Sequence, residues 1–256
     1  MQYKAHFVAK GFHQRLGFDF ADTFSPVVKP TTIRILIHLT VTYSWVLRQL
    51  DVNEAFLHGT LIEDVFMQQP QGFRDPQFPQ HVCKLQKAIY GLRQTPRAWY
   101  TKLRNFLLSI GFIISKSDSS LFIHLQKKFT MFLLIYVDDI IIIDTSSQQV
   151  QRFITTLAHR FSLKDLGHLA YFLRVEAIHT SSNLFLSQYK YIRDLLEKHN
   201  MFGANAISTS ISSTVSLKLH DGALPTDPTK YRQVIGFMQY LSLTRPDISS
   251  VVNKLS

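Results

Sequence analysis

Apolar positions crowd most tightly in residues 130–144, TMFLLIYVDDIIIID, where a mostly apolar run meets two adjacent carboxylates, Asp138 and Asp139, and four isoleucines follow. Short apolar runs rich in β-branched residues predict strands buried on both faces. The run is too short to span a membrane, and the two acids interrupt it. An unpaired carboxylate inside such a run is costly or becomes protonated. The pattern therefore predicts a hairpin with Val137, Asp138 and Asp139 at its turn. There both acids can face one side, whereas neighbours within a strand point to opposite faces.

The remaining pattern alternates between the two periods. Residues 3–14 begin strand-like and break at Gly11, with Lys4 and Lys10 among apolar residues. After Pro30, Thr31 or Thr32 is expected to cap a helix whose Ile33, Leu36, Ile37 and Val41 recur at helical spacing to about Ser44. Residues 45–52 alternate like a strand and deliver Asp51 at its end, and residues 65–73 and 82–87 predict two further strands. Thr95 and Pro96 suit the start of a helix that aligns Trp99, Leu103, Phe106, Leu107 and Ile110 and stops at Gly111. Residues 121–125 read as the strand before the hairpin, and Ser146 or Ser147 opens a helix with Val150, Phe153, Ile154, Leu157 and Phe161 inward. Residues 162–167 read as a turn holding Lys164, and residues 169–177 and 184–187 as a hairpin around 181–183. Ser187 is expected to cap a helix burying Ile192, Leu195 and Leu196. A Ser/Thr-rich link over 207–215 and helices over about 230–243 and 246–256 complete the chain. This order predicts an α+β fold, an antiparallel sheet backed by helices.

Composition narrows the partners. The 256 residues include 46% hydrophobic and 18% charged positions, a globular balance rather than a disordered one. The formal net charge of +10 favours a polyanion, most simply nucleic acid, although solubility alone can account for basic charge. The single cysteine, Cys83, excludes an internal disulfide and fits a reducing compartment. The first residues lack the apolar core of a signal peptide.

The chemistry is in three acids. Asp51, Asp138 and Asp139 can be brought to one sheet edge, and oxygen-only ligands favour Mg²⁺ or Mn²⁺ over zinc. Three carboxylates suffice for two ions roughly 3.5–4 Å apart, the spacing of in-line phosphoryl displacement. A solvent-facing Asp-Asp turn and an Asp closing a strand are the plainer readings of the same residues. A nuclease needs clustered acids too. Phe56, five residues after Asp51, can exclude a 2′-hydroxyl by bulk, and Lys164 can approach a leaving phosphate, so a polymerase fits better. Gly91 would admit a ligand close to the backbone. Arg93, Arg97, Lys102 and Arg104 interleave with Tyr90, Trp99 and Tyr100, which suits phosphates and base faces but equally suits a helix with one solvated basic side.

An ordered set of motifs then carries a resemblance. YKAHFVAKGF at 3–12, TFSPVV at 23–28, QLDVNEAFLHG at 49–59 and YGLRQTPRAWY at 90–100 come first. YVDD at 136–139, KDLG at 164–167, YFL at 171–173 and TRPDI at 244–248 follow. Together they resemble the reverse transcriptase of copia-type retrotransposons over nearly the whole chain. The resemblance implies a right-hand fold, with fingers and palm over 1–179 and a thumb or connection-like region over 180–256. It implies DNA synthesis from dNTPs on RNA and DNA templates with two Mg²⁺ ions, Mn²⁺ being a substitute. By position, Asp51, Asp138 and Asp139 match the metal ligands and Lys164 a proton donor. Lys10, Glu54, Ala55, Phe56, Tyr90 and Gly91 match nucleotide-binding positions, with Phe56 as the sugar gate. Arg93, Arg97, Tyr136, Tyr171, Phe172 and Leu173 match primer and template contacts. Other parts of a Pol polyprotein, integrase and ribonuclease H, become expected partners, in a cytoplasmic virus-like particle or the nucleus, and no membrane is implied.

The departures are specific. His6-Phe7 stands where the family usually has Arg-Leu, and Asp144 and Arg174 stand where glycine is usual. The fingers begin late and no ribonuclease H segment follows, so the chain resembles a piece of a polyprotein or a decayed copy. An inactive remnant that only binds nucleic acid is the alternative expectation.

Overall fold

The structure is a computed structural model, and it describes residues 7–127, 129–180, 183–206 and 227–256. Lys4, His6, Ser181, Ser182 and the expected link over 207–215 lie outside the described residues. The chain divides into two compact units, Met1–Leu169 and Ala170–Ser256. This boundary precedes residue 179, because the strands on either side of 179 pair with one another.

In the first unit, α1 (Pro30–Tyr43) leads into β1 (Val46–Val52), a 3₁₀ turn (Ala55–His58), β2 (Thr60–Gln68) and β3 (Val82–Lys87). Then come α2 (Thr95–Ser109), β4 (Ile113–Ile114), β5 (Leu121–Gln126), β6 (Phe129–Tyr136), β7 (Asp139–Asp144), α3 (Ser147–Arg160) and β8 (Leu163–His168). A six-stranded sheet runs β4-β5-β6-β7-β1-β8, every neighbour antiparallel. β2 and β3 form a separate hairpin.

The period-2 and period-3.6 patterns meet in one core. Leu50 and Val52 of β1, Leu133 and Ile135 of β6, and Ile140 and Ile142 of β7 turn to one sheet face. There they pack with Trp99, Leu103 and Leu107 of α2 and Val150, Phe153 and Leu157 of α3. Because successive strand side chains alternate, Gln49, Asp51 and Asp139 belong to the opposite face. On that face Leu47, Leu134, Ile141 and Ile143 are also buried, which is why the isoleucine run lacks alternation.

Several helix and strand ends differ from expectation. Lys29, not Thr31 or Thr32, stands at the N-cap of α1, and Thr32 Oγ1 instead donates to Asp118 Oδ2 at 2.6 Å. Gln94 is the N-cap of α2, and Thr95 Oγ1 donates to the Ile89 carbonyl at 2.7 Å. Ser146 does not cap α3 through its side chain; its N–H donates to Asp144 Oδ1 at 2.6 Å. β2 begins at Thr60, five positions earlier than its apolar run. Residues 163–168 are a strand rather than a turn, since β1 offers them an edge to pair with.

The second unit holds a three-stranded antiparallel sheet, β9 (Tyr171–Phe172), β10 (Val175–His179) and β11 (Leu184–Ser187). Three helices follow: α4 (Tyr189–Lys198), α5 (Pro228–Leu241) and α6 (Ser249–Leu255). Asp227 caps α5 by accepting from Thr229 and Lys230. In α4 the buried residue is Tyr191, while Leu196 is exposed. The turn between β9 and β10 holds Leu173 and Arg174 at φ of 50° and 57°. That is the left-handed region, so the glycine usual at Arg174 has a conformational cause.

Candidate active site

The β6–β7 hairpin turns on two residues, because Tyr136 pairs directly with Asp139. Val137 takes φ +56° there, an uncommon conformation for a β-branched residue. Two bonds secure the turn. Trp99 Nε1 donates to the Val137 carbonyl at 2.6 Å, and the Val52 N–H donates to the Asp138 carbonyl at 2.9 Å.

Register does the rest. Asp51 is the cross-strand partner of Asp139, and Lys164 is the partner of Asp51 on the other side. Directly opposed residues of antiparallel strands share a face with Cβ atoms about 4.5–5.5 Å apart. Tyr136, Asp139, Asp51 and Lys164 therefore form one row across β6, β7, β1 and β8, with Asp138 beside it on the turn. Asp51 and Asp139 are half-buried, and Asp138 and Lys164 are exposed.

The electrostatics are those of crowded acids. Burial pushes the Asp139 carboxyl above its ordinary range, and the charges of Asp138 and Asp51 push it the same way. A hydrogen bond from Gln49 Nε2 to Asp139 Oδ1, 3.1 Å long, opposes them only in part. The Tyr90 phenol is raised by burial and then by Asp138, Glu54 and Asp51. Among the described residues, no group of three or more His, Cys, Asp or Glu side chains is assembled as a ready-made metal cage. The donor set nevertheless suits a hard cation: three carboxylates at one edge, one of them pushed toward its neutral form by burial and by the charges of the other two.

Around the row, Ala55 is buried, Glu54 sits at φ +50°, and the Phe56 ring meets the Tyr90 ring edge-on with centroids 5.0 Å apart. Gly91 serves a different purpose from the expected ligand approach. A Cβ there would lie 2.1 Å from the Ala9 carbonyl oxygen, so the residue lets the segment before Gly11 lie against it. That segment bonds from Ala9 N–H to the Tyr90 carbonyl at 2.7 Å. The side chain of Arg93 also serves this contact, its Nε donating to the Gly11 carbonyl at 3.1 Å, and Arg97 Nε lies 3.4 Å from Asp22 Oδ2. Lys10 is exposed and lines a cleft of about 590 Å³ with Phe66 and Met67 of β2. Tyr171, Phe172 and Leu173 fall in the second unit, with Tyr171 exposed and Phe172 buried.

Sequence reasoning passed over Gln49. It is buried, lies two residues before Asp51 and so on the same face, and holds an oxygen of Asp139. Strand parity was the signal that could have found it. Asp165 and Arg48 were given no role either, and they form an ion pair on the sheet face opposite the row.

Residues 1–213 match the family model described as "Reverse transcriptase (RNA-dependent DNA polymerase)". The chain belongs to the reverse transcriptase family. Relatives of this reverse transcriptase chain include the "Retrovirus-related Pol polyprotein from transposon RE1" of Arabidopsis thaliana, 51% identical over 255 residues. The match covers 100% of this chain and 17% of that relative. The corresponding polyprotein from transposon TNT 1-94 of Nicotiana tabacum is 38% identical over 271 residues, covering 100% of this chain and 20% of its own length. A "Putative transposon Ty5-1 protein" of Saccharomyces cerevisiae is 30% identical over 210 residues, 81% of this chain and 68% of that protein. The chain thus spans a fifth or less of the two plant polyproteins. Among the described residues, no helix is long and apolar enough to cross a membrane.

Proposed function

We propose that the chain is the RNA-directed DNA polymerase segment of a copia-type retrotransposon Pol polyprotein, extending a primer on RNA or DNA templates with dNTPs. The observation that carries this reading is the cross-strand pairing of Asp51 with Asp139 beside Asp138. In this reading the six-stranded sheet with α2 and α3 is the palm. The β2–β3 hairpin with the N-terminal segment belongs to the fingers, and the second unit to the thumb.

Asp51, Asp138 and Asp139 would hold two Mg²⁺ ions. When bound, such ions lower the pKa of an attacking hydroxyl and neutralise the leaving pyrophosphate. The primer 3′-hydroxyl gives its proton to water as its oxygen attacks the α-phosphorus, and the bond from that phosphorus to the bridging oxygen of the β-phosphate breaks to release pyrophosphate. Lys164, next along the row, is placed to give a proton or a positive charge to that oxygen. The backbone N–H groups of Glu54 and Ala55, just past the end of β1, would receive the triphosphate, and Phe56 would screen the sugar. Integrase and ribonuclease H segments are the partners such a polyprotein would add.

Primer extension on poly(rA)/oligo(dT) with Mg²⁺ tests the reading. Extension is expected, and Asp138→Asn should abolish it while salt-sensitive binding to the primer–template survives. Extension that persists in Asp138→Asn removes the site assignment. Binding without any extension favours a non-catalytic remnant, and degradation of labelled nucleic acid without dNTPs favours a nuclease.

A further inference from the structure

The pairing of β1 with β8 is broken once, between Gln49 and Leu50. Arg48 faces His168 and Gln49 faces Gly167, but Leu50 faces Asp165, so Leu166 is left over on β8. This is a β-bulge beside the carboxylate row. Such bulges commonly re-aim side chains near active sites. Its consequence here follows from counting. Were the pairing regular from His168 onward, Leu50 would face Leu166, Asp51 would face Asp165, and Lys164 would face Val52. Asp165 would then join Asp138, Asp139 and Asp51 on one face, and like charges directly opposite destabilise a sheet. Lys164 would meanwhile turn to the helix-packed face beside Leu50 and Val52, which are buried.

We propose that the bulge at Asp165, Leu166 and Gly167 is a positioning device that sets a cation, rather than a fourth carboxylate, opposite Asp51. Two features hold it. Gly167 adopts φ +83°, and a Cβ built there meets nothing within 4 Å, so the demand for glycine is conformational and not spatial. Asp165 bridges the irregularity. Its Oδ1 accepts from the Gly167 N–H at 2.8 Å, and its Oδ2 pairs with Arg48 Nη2 on the helix-packed face. Regular pairing would carry Asp165 to the other face and strip Arg48 of that partner. The inference rests on the polymerase reading for its kinetic consequence, but the register itself can be read without activity.

Cross-strand cysteine pairs report the register, in a Cys83→Ser background. Opposed positions in antiparallel strands approach closely enough for a disulfide, and positions on opposite faces do not. The combination Val52→Cys with Leu163→Cys should cross-link on mild oxidation, and Val52→Cys with Lys164→Cys should not. Adding Gly167→Val, which disfavours the left-handed backbone, should reverse that preference. In the polymerase with its native cysteine and row residues, Gly167→Val should lower kcat on the order of 10²-fold, the scale of a lost proton donor. The KM for primer–template should hold. Deleting Leu166 removes the surplus residue while leaving Lys164 opposite Asp51, so that deletion should restore kcat to Gly167→Val. An unchanged cross-linking preference in Gly167→Val overturns the proposal. So does a loss of kcat that deletion of Leu166 fails to repair. Cysteine pairs that cross-link as expected, together with wild-type protein that extends no primer, would instead overturn the polymerase reading and leave the register device standing.

Discussion

Trp99 and Val137 are joined by a 2.6 Å hydrogen bond from the indole Nε1–H to a main-chain carbonyl, linking α2 to the turn that carries Asp138 and Asp139. Trp99 is fully buried and packs edge-on against Phe161 with centroids 5.3 Å apart. Its ring thus belongs to the core, while its one polar atom fixes the turn. Trp99→Phe keeps most of the packing and removes the donor, leaving a carbonyl unpaired. The expected cost is about 1–3 kcal/mol in stability. Loss of primer extension should exceed what the unfolded fraction explains, as judged by activity per folded molecule from denaturant titration.

Gln49 holds Asp139 from the same sheet face as Asp51. An amide donor there leaves the acid's charge in place, where a lysine or arginine would compete with metal. Gln49→Leu removes the bond and frees the carboxylate to rotate. The expected result is a higher Mg²⁺ concentration for half-maximal extension, about three- to tenfold, with nucleic-acid binding unchanged. Second-sphere hydrogen bonds commonly tune metal sites on a scale of 10–100-fold, and this bond is one of several constraints. An unchanged Mg²⁺ titration would mean that the bond does not position the acid.

Phe56 sits against Tyr90 at the end of β1, ring to edge. If it screens the sugar of an incoming nucleotide, Phe56→Ala should raise incorporation of rNTPs relative to dNTPs by tenfold or more, since steric exclusion by an aromatic ring is lost rather than weakened. Competing rNTPs and dNTPs in single-nucleotide extension gives the ratio directly. A ratio equal to that of the unmodified protein would assign the ring to packing alone.

Asp118 ties the start of α1 to the segment before β5. Its oxygens accept from the Lys29 N–H at 3.0 Å, from Thr32 Oγ1, and from Ser120 through both its N–H and its hydroxyl. Burial raises its pKa, but the bonds from Ser120, Thr32 and Lys29 together outweigh burial and hold the group below its ordinary value of 3.8. With the folded-state pKa depressed, the unfolded chain binds the extra proton. The stabilisation is therefore complete above pH 3.8 and disappears as pH falls through the lower folded value. Asp118→Asn should cost about 2–3 kcal/mol near neutral pH and progressively less in strong acid, measured by urea unfolding across pH.

How much was legible in the sequence follows from which forces are local. The β6–β7 hairpin and β1 were readable because apolar density and strand parity are written in consecutive residues. The pairing of Asp51 with Asp139 was not, because register between β1 and β7 is set by strands far apart in the chain. Residues 162–167, SLKDLG, looked like a turn for the same reason: their strand propensity is weak, and only the free edge of β1 makes 163–168 a strand. Thr32 and Thr95 have the chemistry of caps but were claimed by longer-range acceptors, Asp118 and the Ile89 carbonyl. Gly91 was read as admitting a ligand, and the group that lies against it is the chain itself at Ala9.

Asp144 ends β7 on the helix-packed face, fully buried, where the resemblance leads one to expect glycine. One oxygen accepts from the Ser146 N–H and from Thr145 Oγ1, and the other, Oδ2, has no hydrogen-bond partner among the described residues. Burial raises its pKa, and the bonds from Ser146 and Thr145 and the charge of His124 offset this only in part. A raised folded-state pKa reverses the sign found at Asp118. Between the ordinary value of 3.8 and the higher folded value the native state binds the extra proton, so this group's contribution to stability falls as pH rises through that window. Asp144→Asn keeps an oxygen for the Ser146 N–H and removes the charge. It should stabilise the first unit by about 1 kcal/mol near neutral pH, with the gain vanishing in acid below 3.8. Equilibrium urea unfolding of the full chain, followed by Trp99 and Trp45 fluorescence, reads both points. A gain that persists unchanged in acid would place its origin in packing rather than in the buried charge.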